Sequence, residues 1–129
     1  MNSFSKCYKA AVILFLIASA GCSWSKDGFY IKNQYAEKPA LSATSPVVFT
    51  EIKEFPSCKV TKLADVKVSR RQYGGEEKVK TTLTEHARLM GGNVILGYNF
   101  WIAPSGFVWA APHGEGTIAQ GDLACMKIR

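Results

Sequence analysis

The chain has 129 residues, enough for at most one ordinary domain. Apolar residues make up 47% and charged residues 20%, a globular balance that excludes an intrinsically disordered chain. The formal net charge is +6, but Lys59, Lys62, Lys67, Arg70, Arg71, Lys78 and Lys80 are scattered and no nucleic-acid motif is present, so a nucleic-acid partner is not expected.

Residues 10–20 read AAVILFLIASA, with Lys6 and Lys9 before them and small residues at their end. A basic start, a short apolar run and a small-residue exit form the pattern of a signal peptide, here 1–21. As a helix the run rises only about 16 Å, against a hydrocarbon core of roughly 30 Å, so it is too short to span a membrane. Cys22 follows Ala20-Gly21 directly, a lipobox-like arrangement in which the cysteine would be acylated, although Ser19 stands where Leu is usual. The competing reading is cleavage after Ala18-Ser19-Ala20, releasing a chain that starts near Gly21.

Four cysteines bear on that choice: Cys7, Cys22, Cys58 and Cys125. Cys7 leaves with the signal. With Cys22 lipidated, Cys58 and Cys125 remain to pair in an oxidising compartment; without lipidation one cysteine is left over. The alternative for Cys58 and Cys125 is two buried free thiols. Loss of Lys6 and Lys9 leaves 14 basic against 10 acidic side chains, a net charge of +4 that weakly favours anionic surfaces.

Residues 22–46 lack sustained periodicity and carry Pro39 and Pro46, which reads as a lipidated N-terminus and tether. The domain is expected over 47–129. Val47 to Thr50 is β-branched and aromatic, and Val66-Lys67-Val68-Ser69 alternates, giving two strands. Gly74-Gly75 precede a helix over 76–90, whose Val79, Leu83, His86, Ala87 and Met90 share a face. Glu76 and Glu77 in its first turn and Arg88 in its last complement the helix dipole, and Gly91-Gly92 end it. Three strands follow, over 93–102, 107–111 and 117–128. Pro104-Ser105-Gly106 forms a turn and Pro112 to Gly116 a loop. The order ββ-α-βββ describes an α+β domain with one helix on a small, mostly antiparallel sheet.

The run Leu83-Thr84-Glu85-His86-Ala87-Arg88-Leu89-Met90-Gly91-Gly92-Asn93-Val94-Ile95 resembles the helix-to-strand signature R-x-x-A-x-x-x-G-A-N-A-V of the RcsF/YbjQ-like small envelope lipoprotein domains, the family of the Rcs stress sensor. The positions of Cys58 and Cys125, and the layout of signal, lipidated cysteine, linker and small α+β domain, are similar as well. The likeness covers roughly residues 55–129. Gly92 stands where the family tends to have Ala, two domain cysteines stand for the sensor's four, and its proline-rich basic linker is missing. The resemblance implies a non-catalytic outer-membrane lipoprotein in envelope-stress sensing or protein interaction, held by its lipid and facing another envelope protein. Ser23 after the acylated cysteine fits sorting to the outer membrane.

Chemistry-bearing residues are few. His86 lies on the apolar helix face and reads as core. His113 sits beside Glu115 in a Gly-rich stretch, but metal-ligand spacing is lacking and bridged cysteines cannot bind zinc. No G-x-S-x-G is present, so neither catalytic residues nor a cofactor are expected. The alternative to an interaction protein is a small-ligand or metal-binding envelope protein, with a hydrolase third. The aromatic hairpin, with Tyr98, Phe100, Trp101, Phe107 and Trp109, is the most notable feature. Trp101, Phe107 and Trp109 are the candidate interaction surface, with a plain core role as the alternative.

Overall fold

A computed structural model describes residues 28–69, 75–105 and 109–127, apart from the side chains of residues 104, 105, 109 and 110. The elements are β1 (Phe29–Gln34), β2 (Val48–Phe49), β3 (Val60–Ser69), α1 (Glu76–Met90), β4 (Val94–Ser105), β5 (Trp109–Gly121) and a single helical turn, α2 (Leu123–Met126). The strands form one sheet in the order β1-β3-β5-β4-β2. Every pairing is antiparallel except β2 with β4. One main helix on a small, mostly antiparallel sheet is the expected α+β class, although the strands are distributed differently along the chain.

Helix α1 forms where the three-and-four spacing places it. Val79, Leu83 and Ala87 are fully buried against Ala64, Val66 and Val68 of β3, Ile95 of β4 and Ile118 of β5. Each fully buried Val or Leu contributes about 1.5–3 kcal/mol. The helix exit is a Schellman turn: Gly91 takes φ 86°, its N–H donates to Arg88 O at 3.1 Å, and Gly92 N–H donates to Ala87 O at 2.7 Å. Asn93 then ties this turn to the end of β5. Its Nδ2 donates to Gly121 O at 2.8 Å and its Oδ1 accepts from Gly121 N–H at 3.0 Å.

Three expectations change. The stretch read as a tether contributes the edge strand β1, whose Phe29 is 5% exposed and stacks on His86 with ring centroids 3.7 Å apart. The backbone groups on the β3 edge need partners, and β1 supplies them. Residues 35–47 then cross from one sheet edge to the other over the end of α1, where Leu41 N–H donates to Arg88 O at 2.8 Å and Arg88 Nε to Ser45 O at 2.7 Å. The sheet therefore includes Phe29–Gln34, a segment that the expected domain over 47–129 left out.

The supposed loop at Pro112–Gly116 is the middle of β5, paired on both sides at Gly114. Glycines at alternate positions 114 and 116 face α1, where side chains would collide with Val79 and Ile95. The last strand also stops early. Asp122 Oδ1 accepts from Ala124 N–H at 3.0 Å and Cys125 N–H at 3.4 Å, which caps α2.

Helix α2 and the segment around Phe55 cover one end of the other sheet face. Val94, Leu96, Ala119 and Met126 form a second small core there, with Phe55, Cys58, Val60 and Leu123 packed on it. The Cys58–Cys125 disulfide joins the two covering segments, with Cα atoms 5.9 Å apart. No helix among the described residues is long and apolar enough to cross a membrane.

Candidate functional site

The rest of that outer face carries the site. Strict alternation along β4 would put Trp101 on the helix side with Ile95. Instead Gly97, at φ 60°, makes an irregularity between Leu96 and Asn99 that exchanges the faces. Tyr98 and Phe100 turn in to join Ile95 against the helix core, while Trp101 turns out. A side chain in L configuration rarely adopts that φ, so glycine at 97 is what aims the indole.

Trp101 lies opposite His113 in the β4–β5 register, and Ser69 lies opposite His113 in the β3–β5 register. The three side chains form one row. The Trp101 and His113 rings are stacked, with centroids 5.4 Å apart and planes within 12°. Ser69 Oγ and His113 Nδ1 are 2.8 Å apart, and either atom can donate. Lys67 Nζ lies 5.6 Å from the Trp101 ring centroid, a cation–π contact. The next row holds Glu115, paired with Lys32 of β1 at 3.1 Å.

His113 Nε2 is buried and has no hydrogen-bond partner among the described residues. Burial first, and then the charge of Lys67, push the imidazole below the ordinary histidine range. A third row is an ordered polar network. Asp65 accepts from Thr117 Oγ1 at 2.6 Å, from Asn33 at 3.4 Å and from the Tyr35 hydroxyl. Burial works to raise the Asp65 pKa, but the hydrogen bonds from Thr117, Tyr35 and Asn33 and the charge of Lys32 prevail and hold it below the usual carboxylate value.

Of the residues singled out from sequence, Trp101 stands on this face. Phe107 and Cys22 lie outside the described residues, and so does the side chain of Trp109, whose backbone enters β5 opposite Ser105. Cys58 and Cys125 are bridged to each other. His86 packs on Phe29 rather than on the Trp101 face. His113 and Glu115 are brought to the face by the continuation of β5. They are separated from the disulfide by most of that strand, roughly 26 Å between His113 and Gly121 at about 3.3 Å per residue. No group of three or more His, Cys, Asp or Glu able to hold a metal occurs among the described residues. Sequence reasoning missed Lys67 and Ser69, although their alternation in β3 already put them on one face. No family model matches the chain, and neither a curated protein nor a solved structure does.

Proposed function

We propose that this chain is a non-catalytic envelope lipoprotein, anchored on the outer membrane through Cys22, that docks another envelope protein on the Trp101 face. The observation that carries the docking reading is the Gly97 irregularity. It turns a large aromatic residue out of the core of a small domain and onto an open sheet face, where it stacks on His113. Tryptophan is a favoured interface anchor, because it offers a large rigid area at low entropic cost. The leader and lipobox-like sequence support the anchor, and the resemblance to RcsF/YbjQ-like domains supports a role in envelope-stress sensing.

Ser69 and His113 have the spacing of a nucleophile and a base. A working pair also needs a group that orients the imidazole and stabilises its charged form. Nε2, buried and without a partner among the described residues, supplies the opposite environment, which favours the non-catalytic reading.

Two experiments in cells test the proposal. Cys22→Ala should abolish labelling by a palmitate analogue and release the protein from membranes. A mutant that stays membrane-bound, beside a wild type that takes no label, removes the lipoprotein reading. A photo-crosslinking residue at the exposed Asn99, beside Trp101, should give a discrete crosslinked envelope protein that the same residue at Glu85 does not. Equal products from both positions count against docking on this face.

A further inference from the structure

We propose that His113 is an acid-sensitive latch on the Trp101 face: neutral, it holds the indole in the stack; protonated, it leaves the stack and frees Trp101. The inference rests on the docking reading for its consequence, but the latch itself is a property of the chain alone.

Geometry sets the latch. A neutral imidazole needs one donor and one acceptor position, whereas an imidazolium carries two N–H donors. Ser69 Oγ, 2.8 Å from Nδ1, satisfies one of them. The other would be Nε2–H, which is buried and faces no acceptor among the described residues. The ring cannot gain a charge in place without leaving a charged donor unpaired away from water, so protonation drives it toward solvent.

The surroundings offer no relief. Among the described residues, β3 presents Lys67 and Ser69 to this row, and β4 presents Trp101 and the exposed Asn99. From β5 itself comes Glu115, whose carboxylate is held by Lys32 of β1 at 3.1 Å, and Tyr30 of β1 lies opposite Lys67. Lys67 carries the same sign as an imidazolium. Histidine is the side chain whose ordinary titration falls in the range that an envelope domain meets when its medium acidifies. The stack joins that titration directly to the Trp101 indole on the open face.

The test is an NMR titration of the full chain in detergent micelles, from about pH 7.5 to about pH 5. The imidazole signals are assigned by His113→Gln and the indole signals by Trp101→Phe. The proposal expects His113 to titrate below about 6.5. The Trp101 indole N–H should shift with the same midpoint and lose that shift in His113→Gln. Ser69→Ala removes the remaining acceptor and should lower the His113 midpoint further while the chain stays folded. A Trp101 signal that does not move with His113, or a His113 midpoint at or above about 6.5, overturns the latch. Crosslinking from Asn99 separates the two ideas. Capture that is unchanged between the two pH values while Trp101 titrates overturns the control of docking by the latch, and capture that changes with the Trp101 midpoint supports it.

Discussion

A Cβ placed on Gly114 would lie 2.4 Å from Cγ1 of Val79, so α1 rests on β5 at a distance that only glycine at 114 permits. The contact explains why a strand runs through a segment rich in Gly and Pro, and it makes a direct prediction. Gly114→Ala should destabilise the domain by about 1–3 kcal/mol through overpacking. Adding Val79→Ala should recover part of that loss, with a coupling of about 0.5–3 kcal/mol in a double-mutant cycle. Gly75→Ser, where nothing among the described residues lies within 4 Å of an added Cβ, should change stability by less than about 0.5 kcal/mol. Urea denaturation checks all three, and a neutral Gly114→Ala would mean that the helix does not sit on β5 as described.

Leu83, fully buried under the sheet, and Leu89, 67% exposed on the same helix, form a matched pair. Leu83→Ala should cost about 2–5 kcal/mol, the range for a large buried side chain. Leu89→Ala should stay within about 0.5 kcal/mol. Equal costs at the two positions would contradict the orientation of α1.

The Cys58–Cys125 bridge closes a loop with a sequence separation of 67 and clamps α2 over the second core. Its removal by paired Cys→Ser substitution should cost about 2–4 kcal/mol. Non-reducing peptide mapping should recover the bridged pair from protein purified without reductant. Two alkylatable thiols in the unfolded, unreduced protein would rule it out.

Asp65 links acid stability to the polar row. Its folded pKa lies below the ordinary value, so its contribution is fully present above about pH 4 and is lost as pH falls through the folded value. Asp65→Asn should therefore be less stable than wild type at neutral pH, and the difference should shrink below about pH 4. His113 adds an earlier loss. Its folded pKa is also lowered, so stability is fully present above about 6.5 and declines as pH falls from there through the folded value. Urea midpoints measured against pH should show both steps. Loss of the upper one in His113→Gln, with the lower one kept, is the expected pattern.

How far these features were legible in the sequence varies by element. Helix α1 was readable to its ends because its apolar spacing, charged turns and terminal glycines all agree. β1 was not, because an edge strand with only its first residue fully buried shows no alternation, and its reason for pairing lies in the distant β3. α2 was hidden inside an apparent strand, although Gly121-Asp122 carries both a break and a cap. Trp101 stood out by composition, but its face could not be read by counting twos, since Gly97 resets the count. His113 became part of the site only through the β3–β5 and β4–β5 registers, which are set by pairings between residues far apart in the chain.

The most direct test of the docking claim is the affinity of the protein crosslinked at Asn99 for purified wild type and for Trp101→Ala, measured beside their unfolding midpoints. An interface anchor is worth at least about 2 kcal/mol, so Trp101→Ala should weaken binding by roughly thirtyfold or more while the domain remains folded with its disulfide intact. Unchanged affinity in a folded Trp101→Ala protein would contradict docking on this face.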